Sequence, residues 1–269
     1  MNRRAVIAGL PLAVFMPSLA LAGMTKPYRL ALMIADYDPA AKVYVGGLEI
    51  ELDHGWKTYW RLPGDAGIPP QFDWSKSKNL KSVEVLWPAP HRFIDKGGET
   101  IGYKDRVVFP LRIVPENPDQ PVELNLSLFF GVCQDICIPG NGELTARTGR
   151  ADPAAAALIA SFAAKVPRKL DAASPFRVTK AKVSKDRPQT LFVQIEGDCC
   201  RGNFDIFVEG ADFAFFKAPR SPTKTGRWTL PFTGDAARLH GRQLKLTIIT
   251  SNIARDQPDI ALEQVVTVE

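Results

Sequence analysis

Apolar and polar residues alternate with a period of two along most of the chain, the pattern of strands that bury one face. Val122, Leu124, Leu126, Leu128 and Phe130 are separated by Glu123, Asn125 and Ser127. Leu48, Ile50 and Leu52 alternate with Glu49 and Glu51, and two further stripes run through Val83, Val85 and Trp87 and through Val107, Phe109, Leu111 and Ile113. Gly46-Gly47, Pro63-Gly64, Pro69-Pro70, Pro88, Pro90, Gly97-Gly98 and the stretch from Pro115 to Pro118 punctuate them at the spacing of a β-sandwich. No helical period of useful length intervenes, so residues 23–150 are expected to form an immunoglobulin-like β-sandwich.

The composition then changes. Asp152 precedes Pro153 and an alanine-rich run, which reads as an N-cap, a first-turn proline and strong helix formers. Leu158, Ile159, Phe162 and Val166 give this segment one apolar stripe. Residues 151–170 are therefore expected to be a linker helix ended by Pro167. Alternation returns at Phe176 and Val178, at Leu191, Val193 and Ile195, at Phe204, Ile206 and Val208, at Trp228, Leu230 and Phe232, at Leu244, Leu246 and Ile248, and from Val265 to Val268. The whole predicts an all-β chain, a second smaller β-sandwich over 171–269 following the first.

Composition changes the picture only at the amino terminus. Arg3-Arg4, an apolar run from Ala5 to Leu21 and the small residues Ala20 and Ala22 make residues 1–22 a secretory signal. The adjacent arginines also fit twin-arginine export. Removing these residues takes the formal charge from +5 to +3, since Arg3 and Arg4 are their only charged side chains. A small charge with acids and bases interspersed excludes nucleic acid as the expected partner, and no later run is long enough for a stable membrane span. The expected location is the periplasm.

Chemistry can be read from two cysteines. Cys133 and Cys137 follow the strand that ends at Phe130, and parity past Gly131 puts Val132 on the core side and Cys133 toward solvent. In an extended strand, positions four apart are roughly 13 Å apart, whereas a disulfide needs α-carbons within about 7 Å. The chain must therefore turn if they bond. Gln134-Asp135-Ile136 supply that turn, and Pro139-Gly140-Asn141-Gly142 read as a second. Three readings compete: a structural disulfide, a redox-active dithiol whose small ring opens cheaply, and a zinc site, for which the two further ligands have no recognisable motif. Cys199-Cys200 read as two free or separately partnered thiols, with metal capture or a redox relay as the alternative. Trp56, Tyr59, Trp60, Trp74 and Trp87 read as packing residues, with a client-binding patch as the alternative, and His54 and His91 as surface residues beside turns, either of which would lower the pKa of a thiol brought close to it.

The segment from Phe129 to Pro139, together with Gly55-Trp56-Lys57-Thr58-Tyr59-Trp60, the phrase from Pro63 to Pro70 and Phe72-Asp73-Trp74, resembles the periplasmic amino-terminal domain of the DsbD family of thiol:disulfide interchange proteins, most of all its ScsB-like branch. The resemblance implies an immunoglobulin-like fold and thiol-disulfide exchange with no cofactor and no metal. It implies that Cys137 forms mixed disulfides and Cys133 resolves them, under a cap loop for which Glu99, Ile101 and Tyr103 are the candidates. The sequence has neither the family's multi-helix membrane segment nor a thioredoxin-like Cys-x-x-Cys. The implied electron source is thus a separate membrane-embedded DsbD- or CcdA-like reductant, or a thioredoxin-like protein. The implied recipients are periplasmic disulfide-containing proteins: disulfide isomerases, cytochrome c maturation proteins or copper-tolerance proteins. The rival class is a non-enzymatic periplasmic binding or scaffolding module, for copper or for protein, braced by a structural disulfide. Mass spectrometry of the exported protein is expected to find a chain starting at Gly23; an intact Met1 form would contradict the signal.

Overall fold

Each alternating stripe becomes a strand whose apolar side chains turn inward between two sheets. The computed structural model describes residues 26–95, 98–149, 152–197, 204–220, 226–250 and 260–269. Ahead of the helix come β1 Tyr28–Asp38, β2 Val43–Leu52, β3 Lys57–Gly64, β4 Gln71–Asp73, β5 Leu80–Val85, β6 His91–Asp95, β7 Gly98–Lys104, β8 Arg106–Pro115, β9 Glu123–Cys133 and β10 Cys137–Arg147. After helix α1 Pro153–Ala163 come β11 Arg168–Lys169, β12 Phe176–Val183, β13 Thr190–Gly197, β14 Phe204–Glu209, β15 Ala214–Phe216, β16 Arg227–Gly234, β17 Gln243–Thr250 and β18 Ile260–Thr267.

The first unit packs a sheet in the order β1-β2-β8-β5 against one in the order β10-β9-β3-β7-β6, with β4 also on β9. Leu48, Ile50, Val107 and Phe109 from one sheet meet Trp60, Leu126, Leu128 and Phe130 from the other. The later strands form two more sheets, β11-β18-β17-β14 and β12-β13-β16-β15, around Leu191, Val193, Leu230, Leu244 and Ile248. The chain is all-β and immunoglobulin-like. Its helix is capped by Asp152, whose Oδ1 accepts from the Ala154 and Ala155 amides at 3.0 and 3.1 Å. The helix lies on the outer face of the first sheet, where Ile159 is buried against Ala35 and Val108.

Two sequence expectations are corrected. Gly46-Gly47 lie inside β2 instead of marking a turn. A β-carbon on Gly47 would stand 2.7 Å from Ile159 Cγ1, so the glycine is where the helix presses onto the sheet. Pro139 to Gly142 likewise belong to β10, which runs along the edge of its sheet, where a proline is tolerated. A β-carbon on Gly140 would come within 2.9 Å of the Phe130 ring, and one on Gly142 within 2.4 Å of Leu30 Cδ1. These glycines make room for β1 and the core.

The two sandwiches are welded by one aromatic ring and three sets of ion pairs. Phe207 in β14 is 1% exposed and packs into the first core, its ring centroid 5.6 Å from that of Trp60. Arg61 in β3 makes a two-pronged contact with Glu209, both distances 2.8 Å, and reaches Glu263 at 2.9 Å. Burial opposes ionisation of Glu209, but Arg61 and Lys245 hold its carboxyl below the usual range. Arg92 in β6 grips Asp205 at 2.9 and 3.0 Å and Glu99 at 3.1 Å, and Lys217 pairs with Asp65. Phe207→Ala is expected to cost about 3 kcal/mol through the cavity it leaves. Because the ring sits against Trp60, urea unfolding followed by tryptophan fluorescence should report the loss in the first sandwich. An unchanged midpoint would contradict this account of the interface.

Candidate functional site

The cysteines face each other across the last rung of a hairpin. Cys133 ends β9, Cys137 begins β10, and the two are partners in register. Their α-carbons are 4.1 Å apart and their sulfurs are bonded. Gln134-Asp135-Ile136 make the connection, as the sequence predicts, with the Ile136 side chain 73% exposed.

The expectation that Cys133 faces solvent is overturned: it is 6% exposed, whereas Cys137 is exposed. The parity itself is sound, since Leu128, Phe130 and Val132 point into the core. The opposite face, however, is covered at this end. β3 pairs with β9 only at Lys57 and Thr58 before swinging away, and β4 takes over at Gln71. The residues between them come over Gly131, whose amide donates to the Ile68 carbonyl at 3.0 Å. The Gly131 carbonyl accepts from Thr58 Oγ1 at 2.8 Å. With both backbone groups partnered, the strand stays buried there at no hydrogen-bonding cost.

Beneath this cover Tyr59 is 1% exposed. A β-carbon on Gly67 would lie 2.6 Å from its ring, and one on Gly131 2.9 Å, so the ring fits only because both residues are glycine. Its hydroxyl lies 3.1 Å from Cys137 Sγ. A disulfide sulfur has no proton, so the phenol donates. Burial, and then the charge of Asp95, push the Tyr59 phenol up, which keeps it a donor at neutral pH. Lys57, register partner of Cys133, is also buried. Its Nζ donates to Asp95 Oδ2 at 2.5 Å and to Thr100 Oγ1 at 3.0 Å. Lys57, Tyr59, Ala66, Asp95 and Thr100 line a cavity of 530 Å³ shared with both cysteines. An ammonium and a phenol donor in one pocket are groups that stabilise a thiolate.

The residues singled out for a cap lie elsewhere. Ile101 and Tyr103 are 4% and 5% exposed and belong to the core, with Tyr103 Oη donating to the Pro88 carbonyl at 2.8 Å. Glu99 is bound to Arg92 and to the Ala218 amide. The β6–β7 hairpin does reach the disulfide cavity, through Asp95 and Thr100 instead. Lys57 and Tyr59 carry a legible signal that pointed to the site: with Thr58 and Trp60 on the core side, they must share the other face with Cys133. His54 and His91 are exposed and do not line the cavity. Cys199-Cys200 and the signal segment lie outside the described residues. Among those residues no helix is long and apolar enough to cross a membrane.

Comparison with known proteins finds a likeness over the part of the chain that holds the site. Residues 35–148 match the family model of the amino-terminal part of the thiol:disulfide interchange protein DsbD. Both cysteines fall within the match. No curated protein sequence matches the chain. Among solved structures, the amino-terminal periplasmic domain of ScsB from Proteus mirabilis superposes with a TM-score of 0.65 at 22% identity, covering 88% of this chain and 99% of that one. At that identity the likeness is one of fold.

Tyr59→Phe removes the donor and keeps the ring. In the reduced protein it is expected to slow alkylation of Cys137 at neutral pH about three- to tenfold, since a hydrogen bond to a charged group contributes about 1.5–3 kcal/mol and only part of that is lost to water. The rate–pH profile should move to higher pH. An unchanged profile would remove Tyr59 from the site.

Proposed function

We propose, taking residues 35–148 as a DsbD amino-terminal-like thiol-disulfide interchange domain, that the chain passes electrons to disulfides of other periplasmic proteins through Cys137, with Cys133 as the resolving thiol. The observation that carries this reading is the asymmetry of the pair: Cys137 is exposed, hydrogen-bonded to Tyr59 and flanked by the exposed Ile136, while Cys133 is buried beside Lys57. Of the two, Cys137 is the more open to an incoming sulfur. The domain division proposed with it is 23–150 for the redox sandwich, 151–170 for the linker that holds the helix Pro153–Ala163 and ends in β11, and 171–269 for the second sandwich, after export and loss of residues 1–22.

In the reduced protein the Cys137 thiolate attacks one sulfur of the partner disulfide, and the partner's other sulfur leaves as a thiolate. Tyr59 holds the Cys137 thiolate until attack. Cys133, as thiolate in the cavity with the Lys57 ammonium, then attacks Cys137 Sγ. That step breaks the intermolecular bond, re-forms the internal disulfide and leaves the partner with two electrons more. A thioredoxin-like protein or membrane-embedded reductant returns the chain to the dithiol by the reverse exchange.

The ring opened in this cycle is small. A loop closed over a sequence separation of 4 contributes about 2 kcal/mol of chain entropy, and the β9–β10 ladder continues for ten further register pairs. Reduction is therefore expected to lower the melting temperature by no more than several degrees. Cys133→Ala should accumulate a mixed disulfide with a thioredoxin-like protein, and Cys137→Ala should accumulate far less. A fall of more than about 15 °C on reduction, with no complex from either variant, would leave the rival reading of a braced binding module.

A further inference from the structure

Two adjacent residues of the second sandwich touch the segments that begin at Asp65 and Glu99 and lead into the wall of the disulfide cavity. Phe216 is buried in its own core, and the Lys217 amide donates to the Pro231 carbonyl of β16 at 2.8 Å. Residues 217 and 218 are thus fixed by their own sheet. From there the Lys217 ammonium meets Asp65 Oδ2, and the Ala218 amide donates to Glu99 Oε2 at 3.0 Å. Asp65 and Glu99 are in turn tied to each other. The Asp65 amide donates to the Glu99 carbonyl at 2.9 Å, and the Glu99 amide donates to Asp65 Oδ2 at 3.1 Å. Gly64, at φ +93°, permits this approach: a β-carbon there would stand 2.4 Å from the Glu99 oxygen.

Each tied residue leads directly into the cavity wall. After Asp65 come Ala66, which lines the cavity, Gly67, which presses on the Tyr59 ring, and Ile68, which receives the Gly131 amide. After Glu99 comes Thr100, which accepts from Lys57. We propose that the second sandwich is a positioning unit for the redox site, in which Lys217 and Ala218 clip the segments that begin at Asp65 and Glu99 over the Cys133–Cys137 disulfide. Lys217 is a positioning residue. Releasing it frees the 65–68 cover and opens the buried side of the bond. The direction of the Asp65 titration agrees: burial alone would raise its carboxyl, but Lys217 and the Glu99 amide bring it below the usual range. The inference deepens the exchange function proposed above and rests on it for its biological meaning, but the accessibility it describes stands alone.

The test uses the full oxidised protein and dithiothreitol, which gives up two electrons and two protons to become a cyclic disulfide as the Cys133–Cys137 bond becomes two thiols. Lys217 and Asp65 are about one-third exposed, so the pair is partly screened. Lys217→Ala is expected to raise the reduction rate about two- to fivefold, Lys217→Glu more, and Lys217→Arg less than about 1.5-fold because it keeps the charge. Salt at 1 M should bring the native rate toward that of Lys217→Ala and leave the ratio near one. Equal rates in all four proteins, a slower Lys217→Ala, or an equal rise in Lys217→Arg would each overturn the proposal. Should Lys217→Glu fail to fold, the alanine, arginine and salt comparisons decide alone. No redox partner enters, so failure to trap one would count against the exchange function and leave this result standing.

Discussion

The site depends on a steric constraint: one aromatic ring fits between two glycines. Tyr59 lies where β3 has just left β9, a place at which a sheet would ordinarily show a gap and wet backbone. Gly67 and Gly131 admit the ring from opposite sides, and Ile68 and Thr58 take up the Gly131 backbone groups. The ring then spans from the buried sheet to the surface sulfur. Any side chain at either glycine would push the ring, and with it the hydroxyl, away from Cys137, because a β-carbon there falls below van der Waals contact. The position of one hydrogen bond is in this way set by packing density and leaves the tyrosine little freedom of its own.

Around this ring β3 is buried on both faces over Lys57–Trp60, and the two faces serve different ends. Thr58 and Trp60 belong to the sandwich, and Trp60 meets Phe207 of the second unit. Lys57 and Tyr59 belong to the cavity. The same short strand therefore joins the redox pair, the first core and the second sandwich. Arg61, the next residue, continues the connection through Glu209 and Glu263. Well-formed buried ion pairs of this kind contribute less to stability than to fixing one arrangement of the elements. Here the arrangement fixed is the one that carries the segment from Pro63 to Pro70 over the cysteines.

Much of the fold was legible because a period of two states which face a residue takes. The stripes at Leu48–Leu52, Val107–Ile113, Val122–Phe130 and Leu191–Ile195 are strands, and Asp152-Pro153 starts the helix. What parity does not state is what covers the other face. Parity puts Cys133 on the correct side of its strand, yet residues distant in sequence cover that side. The same gap explains Pro139 to Gly142: glycine near proline signals a turn locally, whereas these glycines answer to Phe130 and Leu30, which only the tertiary fold brings near. Family resemblance in the order of residues along the chain points to Ile101 and Tyr103 as the cover of the disulfide. The hairpin that holds them does reach the cavity, but through residues of the opposite parity and nearer its tip. Beyond the face it takes, Lys57 has no role legible in the sequence, because a lysine reads as surface until the fold brings a carboxylate and a hydroxyl to it.

On the proposed exchange function, the placement of the cysteines reconciles two demands that oppose each other. An exchangeable disulfide has to meet a foreign sulfur, and a resolving thiol has to be kept from that same sulfur. Opposite residues on the last rung of a hairpin satisfy both, because β9 lies inside the sheet and β10 runs along its edge. Moving one strand outward changes exposure from buried to open while the α-carbons remain 4.1 Å apart. The bond lies across the ladder, not between distant loops, so the backbone register sets the two cysteines opposite each other. On that reading the ladder, and not the sulfur bridge, carries the fold, and the energy of the bond is left for exchange.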